Sequence, residues 1–510
     1  MESKEKGRNR PNSKVSGTSH SLRHKGRFET RQEMETSRRS FLRTSGAAAA
    51  GFAISGRGQL RHSGSPAVRR FRLPLAVPPV LQPVRVEGIN DYYEIDQRET
   101  RVEVLPGKRT AIWGYQGIMP GPTIRVRQGR KAVIHHFNKL SVPTVVHLHG
   151  GSTPADSDGF PTDLVMPGQS KIYVYPNEHA AATLWYHDHA MDQTGHNLFM
   201  GLAGLYIVED EDEQNLPLPR GAYDVPLILQ DRRFTPDGSL QYLPDPVSGA
   251  MTDTLLVNGV PWPRFEVSAR RYRFRILNAC NAKSFRLGLS SGEFFVQIAT
   301  DGGLLSAPRK VKEIPLAMAE RVEVLVDFSS HPVGTQLFLK DSTERSEGLL
   351  RFDIVRKERD DSAVPARLAD VQEIPAERAA RLRTLVFTRG SSEGPDARWA
   401  INGRQFDADR PIVAPRFDDI EVWRILNHTF GEPHTILHPV HLHLVNFQIL
   451  ERNGGPPLAH ETGWKDTVAL MTGEEIRLIA RFGGYHGRYL LHCHNLEHED
   501  RGMMARFDVV

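Results

Sequence analysis

Cysteine is nearly absent: Cys280 and Cys493 are the two in 510 residues. Structural zinc draws on clustered cysteines, which this chain does not have. A Cys280–Cys493 disulfide is an open alternative, but it would consume the one thiol that is surrounded by other metal-binding residue types. Long apolar runs are also missing. No stretch of 18 apolar residues occurs, so no transmembrane span is expected beyond a leader. Helical heptads are absent as well. A net positive charge is missing outside one end. Residues 1–70 carry 16 Lys and Arg against 5 Asp and Glu, a net +11, while the rest has 49 against 56, a net −7. Basic charge that is neither in the folded part nor interleaved with aromatics argues against a nucleic-acid partner.

What is abundant is turn chemistry. The 34 Pro and 43 Gly residues favour short strands and turns over long helices, and 510 residues suffice for two to four domains. The chain also repeats itself. Leu256-Val257-Asn258-Gly259 is echoed by Trp399-Ala400-Ile401-Asn402-Gly403, and Arg275-Ile276-Leu277-Asn278 by Arg424-Ile425-Leu426-Asn427. The gap from proline to asparagine is 16 residues for Pro122–Asn138, 15 for Pro263–Asn278 and 16 for Pro411–Asn427. Three copies of one strand–loop–strand unit imply three similar β domains. Alternation such as Arg321-Val322-Glu323-Val324-Leu325-Val326-Asp327 supports strands. The domains are expected at 72–215, 222–355 and 380–510. Acidic Glu209–Glu213 with Pro217 and Pro219 marks the first linker, and Lys357–Asp361 with the stretch around Pro375 marks the second.

Histidine carries the chemistry. Four segments hold H-x-H pairs: His147/His149, His187/His189, His441/His443 and His492/His494. On a strand, residues two apart share a face, so each pair presents two imidazoles on one side. Cys493 stands between His492 and His494 and would face the opposite side. His498 follows it by five residues and Met503 by ten, and His438 lies three before His441, beyond Pro439. One thiolate, two imidazoles and a thioether form the ligand set of a blue copper electron-transfer centre. Eight histidines would then serve one polynuclear site, with His438, Cys493, His498 and Met503 at a mononuclear one. The motifs fall only in the first and third repeats. The polynuclear site is therefore expected between those domains, with the middle one as spacer. His135, His136, His179, His196, His428, His434 and His486 read as surface or hydrogen-bonding residues, and Cys280 as a small buried hydrophobe.

These four segments resemble, in order and spacing, the signature motifs of the multicopper oxidases. The runs His438-Pro439-Val440-His441-Leu442-His443 and His492-Cys493-His494-Asn495-Leu496-Glu497-His498 are similar to the spore-coat laccase and bilirubin oxidase branch, and the resemblance covers roughly Leu75 to Val510. It implies three consecutive cupredoxin-like Greek-key β-sandwiches, an all-β fold. It implies four copper ions. His438, Cys493, His498 and axial Met503 would hold type 1 copper, and His147 and His441 type 2. His149, His187, His189, His443, His492 and His494 would hold the type 3 pair. Asp158 and Glu499 match acidic positions that the family uses to deliver protons.

The resemblance further implies that a small reducing substrate gives electrons one at a time, through the exposed edge of His498, and that Cys493 relays them to His492 and His494. Four such transfers would reduce dioxygen to water. Phenols and aromatic amines are the expected donors. Bilirubin or aminophenol oxidation, and oxidation of metal ions (Mn, Fe, Cu), are alternatives, although the 11 methionines form no rich insert. Cell-division scaffold proteins share the fold without the ligands, whereas here all twelve ligand positions are filled. Near the start, Ser37-Arg38-Arg39-Ser40-Phe41-Leu42-Arg43 and the apolar run from Gly46 to Ile54 resemble a twin-arginine export signal, behind a basic disordered tail in residues 1–71. The expectation is a monomeric enzyme that is periplasmic, extracellular or at the cell surface.

Overall fold

Apolar alternation becomes strand throughout the chain. A computed structural model describes residues 64–344, 347–390, 398–430 and 435–510. The twin-arginine segment and His434 lie outside the described residues. Among the described residues no helix is long and apolar enough to cross a membrane.

The strands make three successive two-sheet sandwiches. In the first, spanning the strands from Val80 to Glu209, one sheet runs in the order Val80–Leu81, Thr123–Arg127, Ala203–Glu209, Ala182–Asp188 and Val146–His149. The other holds Arg85–Glu87, Asn90–Val102, Lys131–Asn138 and Ser170–Tyr175, with Thr110–Tyr115 on Asn90–Val102. Ile124, Leu184 and Tyr206 of one sheet meet Ile95, Ile134 and Tyr173 of the other. The second sandwich packs a seven-stranded sheet on a five-stranded one, with Leu227, Phe274 and Val324 against Leu287, Leu339 and Phe352. In the third, Trp423, Ile425 and Leu478 meet Val440, Leu491 and Phe507. Burying each such side chain contributes roughly 1.5–3 kcal/mol, which fixes which face of every strand turns inward.

The internal repeat is physical. The first long strand of each sandwich pairs in parallel with a later one: Asn90–Val102 with Lys131–Asn138, Asp224–Arg232 with Arg271–Asn278, and Arg381–Arg389 with Ile420–Asn427. Parallel neighbours need a crossover rather than a hairpin, which gives the Greek-key path. The asparagine that ends the second strand does the same work three times. Its amide donates to two carbonyls: Val142 and Val165 from Asn138, Lys283 and Leu316 from Asn278, Ile436 and Leu470 from Asn427.

The linking and middle segments bury part of their charge. Glu211–Asn215 forms a helical turn capped by Asp210, and Glu213 is buried against Arg273 and Arg275. The alternating segment Arg321–Asp327 forms a strand, as its pattern implies. It lies inside the seven-stranded sheet, and its polar members Arg321 and Glu323 are as buried as its valines because other domains cover that face. Cys280 is free and buried in the second core, so no disulfide joins it to Cys493.

Candidate metal centre

Strand register sorts the ligands. Leu437–Leu442 pairs antiparallel with Gly487–Cys493, putting Val440 opposite Cys493 and His441 opposite His492. Directly opposed residues share a face. Val440 and Cys493 therefore enter the third core, while His441 and His492 turn to the other side. In the first domain Val146–His149 pairs with Ala182–Asp188, and His147 stands opposite His187.

The core-facing group is tight. Cys493 Sγ lies 3.2 Å from His438 Nδ1 and 3.7 Å from His498 Nδ1, and the two Nδ1 atoms are 3.3 Å apart. The opposite ring nitrogens are tied off, His438 Nε2 to Thr429 Oγ1 at 2.9 Å and His498 Nε2 to the Val247 carbonyl at 2.9 Å. Met503 is drawn in through its backbone: its carbonyl accepts from Cys493 N–H and its N–H donates to the His498 carbonyl, both at 3.0 Å. Its side chain belongs to the same core. The expected exposed edge of His498 is absent. That residue is fully buried, because the hairpin Pro244–Ala250 from the middle domain lies over it and Trp399 packs its ring 3.9 Å away.

The other eight histidines converge between the first and third domains. Three groups bring their ligand atoms within 4.8 Å of one another: His147 with His149 and His441, His149 with His187 and His494, and His189 with His443 and His492. In most rings one nitrogen is anchored. His147 Nδ1 sits on the Asp158 carbonyl, His441 Nδ1 donates to the Asp466 carbonyl at 2.9 Å, and His443 Nδ1 to Asp158 Oδ2 at 2.8 Å. His187 Nδ1 donates to the Asp188 carbonyl at 2.8 Å. These anchors turn Nε2 inward, so that His147 and His441 approach nitrogen to nitrogen at 3.4 Å and His443 and His492 at 3.2 Å. His149 is reversed: its Nε2 meets Asp466 Oδ1 and Thr467 Oγ1 at 3.1 Å each, leaving Nδ1 inward. Among the described residues, His149 Nδ1, His187 Nε2 and both nitrogens of His189 and of His494 are buried with no hydrogen-bond partner.

Buried orphan nitrogens are expensive unless something binds them. Burial pushes the imidazoles down, His147, His149, His441, His443 and His494 well below their ordinary value and His187 to about 3. They are therefore neutral and offer lone pairs. Imidazole with one thiolate is a donor set that fits copper. Burial also raises the Cys493 thiol, so binding a metal there releases its proton.

Both expected acids touch the cluster. Asp158 is fully buried, its Oδ2 on His443 and its Oδ1 without a partner; burial pushes its pKa well above the usual carboxylate range. Glu499 lies 3.3 Å from His189 Nδ1 and 3.1 Å from His492 Nδ1. Burial would raise its pKa, but the two imidazoles outweigh this and hold it at about 2. The remaining described histidines stay outside. His135 bonds Ser170, His136 lies by Gln97, His179 bonds its neighbour's carbonyl, and His196, His428 and His486 pack on Trp113, Phe430 and Phe417. Asp466, Thr429 and Val247 were not singled out from sequence. The signal for Asp466 was the charged pair Lys465-Asp466 opening an apolar strand.

Multicopper oxidase family models match residues 96–213 and 379–510. The laccase of Bacillus subtilis (strain 168) is 36% identical over 87% of this chain and 99% of its own length. The chain belongs to the multicopper oxidase family. The bilirubin oxidase of Albifimbria verrucaria is 36% identical over 87% of this chain and 82% of its own. The crystal structure of laccase from Pediococcus acidilactici superposes with a TM-score of 0.80 at 32% identity, covering 88% of this chain and 95% of that one. This multicopper oxidase is thus a laccase-like, copper-dependent oxidoreductase that uses oxygen, with the cupredoxin-like sandwiches of its relatives.

Proposed function

We propose that this oxidase holds four copper ions and takes electrons singly from phenols or aromatic amines. The observation that carries this reading is the convergence of buried, partnerless imidazole nitrogens from four segments onto one centre, beside a separate Cys–His–His group. His438, Cys493, His498 and Met503 would hold type 1 copper, and His147 with His441 type 2. His149, His187 and His494 would hold one type 3 ion, and His189, His443 and His492 the other. Bound copper supplies one-electron storage and the four-electron reduction of dioxygen to water.

The chain's own residues do the rest. Cys493 lies between His492 and His494, so one tripeptide spans both centres. Asp158 keeps His443 oriented through Oδ2 and has Oδ1 free to carry a proton. Glu499 sets one carboxylate oxygen beside His189 Nδ1 and the other beside His492 Nδ1, on the far side of the cluster. Electrons from the donor reach His498 across the Val247 carbonyl rather than by direct contact. Bilirubin is the second candidate donor, on the strength of the similar bilirubin oxidase. A non-enzymatic scaffold role is disfavoured by the complete ligand set.

The enzyme is further proposed to be a monomer, exported by the twin-arginine route to the periplasm, the exterior or the cell surface. The Arg38-Arg39 motif supports the export; N-terminal sequencing and sedimentation of the mature protein test the two points. The site itself is tested by copper loading, with metal counted per chain and oxygen uptake followed on a phenolic donor. Four copper ions per chain, a band near roughly 600 nm and oxygen uptake are expected. A fully loaded but colourless protein would remove Cys493 from the ligand set and end this reading.

A further inference from the structure

Arg321 opens the strand Arg321–Asp327 of the middle domain and is fully buried. Every guanidinium hydrogen has a partner, and the partners come from all three domains. Nε donates to the Thr183 carbonyl in the first domain at 2.9 Å. Nη1 and Nη2 donate to the carbonyls of Ala319 and Asp301 in the second, each at 3.1 Å. The same two nitrogens grip the Asp466 carboxylate of the third domain as a fork, at 2.7 Å to Oδ1 and 2.5 Å to Oδ2. Asp301 closes the arrangement, accepting from Arg321 N–H at 2.8 Å and from Lys465 Nζ at 2.8 Å.

Asp466 is where this network reaches the histidines. Its Oδ1 faces His149 Nε2 at 3.1 Å, and its backbone carbonyl accepts from His441 Nδ1 at 2.9 Å. A neutral imidazole carries one ring proton. A carboxylate on Nε2 keeps that proton there and leaves the Nδ1 lone pair free, which is the reverse of His147, His187, His441 and His443. Gly150 gives independent support. It follows His149 at φ +85°, and a Cβ there would stand 2.6 Å from both Arg321 Nη2 and Asp466 Oδ2. The glycine after the histidine pair lets the fork close against the ligand strand.

We infer that Arg321 is a positioning residue for the polynuclear site: it holds Asp466 so that His149 presents Nδ1, not Nε2, to the histidine cluster. The middle domain is then not a spacer. It completes the site by pinning one ligand from the first domain and one from the third. The inference rests on the reading of the eight histidines as a copper site.

Arg321→Lys keeps the charge but cannot reproduce a two-pronged grip. Copper-loaded Arg321→Lys and wild-type protein are titrated with a chelator, and the blue band is followed beside the total copper and the electron paramagnetic signal of the polynuclear site. The expected result is an unchanged blue band, with polynuclear copper lost at roughly ten- to hundredfold lower chelator concentration. The control is Arg273→Lys, an equally buried arginine of the same sheet that bonds Glu213 and Glu323 and no histidine. It should retain polynuclear copper like the wild type. Equal loss in both variants, or no loss in Arg321→Lys, overturns the inference. If Arg321→Lys does not fold, the pair variant Arg321→Met with Asp466→Asn removes both buried charges together. That protein should be blue and poor in polynuclear copper; full copper retention, or a protein that still does not fold, counts against a positioning role. A colourless wild type would instead overturn the copper reading itself.

Discussion

Besides Asp466, two carboxylates touch the histidine cluster and are held differently. Asp158 has one oxygen on His443 and one without a partner, in a fully buried pocket. Glu499 is wedged between His189 and His492, with an oxygen toward each. An amide can replace either group as an acceptor but cannot release a carboxyl proton. Asp158→Asn therefore keeps His443 oriented while removing the proton carrier. We expect its blue band to be reduced by a donor at the wild-type rate under anaerobic conditions. Re-oxidation by dioxygen should slow by roughly a hundredfold, within the range of a lost general acid. Glu499→Gln should show the same split with a smaller effect, because the two imidazoles hold the Glu499 pKa at about 2 and it has no resting proton to give. Stopped-flow traces of the blue band separate the two half-reactions; unchanged re-oxidation in both variants would remove the relay role.

At the scale of elements, the hairpin Pro244–Ala250 covers His498. Its Pro246 carbonyl accepts from Trp399 Nε1 at 2.9 Å and its Val247 carbonyl from His498 Nε2 at 2.9 Å. A middle-domain loop thus occupies the place a donor would need for direct contact with the ligand ring. Val247→Gly loosens this cover while keeping the backbone carbonyl on His498. Turnover of bulky donors should rise several-fold and that of small phenols should change little, with the blue band in place; equal effects on both donor sizes would sink the cover. The hairpin was illegible in the sequence because nothing in Asp245-Pro246-Val247-Ser248 names its partner 251 residues away. Local signals fared better. Asn258-Gly259 and Asn402-Gly403 both form turns with two consecutive positive φ values, the conformation that Asn-Gly favours between hairpin strands. The first domain has the same turn at Gln116-Gly117, whose side chain bonds the Asp96 and Glu94 backbone as Asn258 bonds Ile228 and Pro226. Glutamine in place of asparagine hid that third copy. The histidine pairs that cluster were legible because period-two spacing and strand faces are local. The anchors Thr429, Asp466 and Arg321 were not, because they act on the histidines from other segments of the chain, two of them outside the strands.

For the whole molecule, the domains are joined by buried charge as well as by an apolar cluster in which Trp185 and Leu205 of the first domain meet Ile228 and Leu277 of the second and Leu496 of the third. Glu213, on the turn between the first two sandwiches, accepts from Arg273 Nη1 at 2.7 Å and from Arg275 Nη2 at 2.9 Å. Arg275 also reaches Thr183 of the first domain and Glu323 of the second, both at 2.9 Å. Burial would raise the Glu213 pKa, but the two guanidinium groups outweigh it and hold the carboxyl at about 2, against an ordinary value of 4.5. A carboxyl depressed on folding stabilises the folded state only while it is ionised there and more acidic than in the unfolded chain. Its contribution is complete above pH 4.5 and is lost as pH falls from there toward 2. Glu213→Gln should therefore flatten the acid side of the stability curve within that window. At neutral pH it should cost on the order of 3 kcal/mol, because Arg273 and Arg275 lose one anionic partner in a buried setting and keep Glu323 and Asp224. Urea unfolding of wild type and variant at a series of pH values between 7 and 2.5 reads both effects. Parallel curves across the acid range would mean that the interface does not carry this linkage. Convergence of the two curves toward low pH would assign the first two domains' acid sensitivity to this one carboxylate.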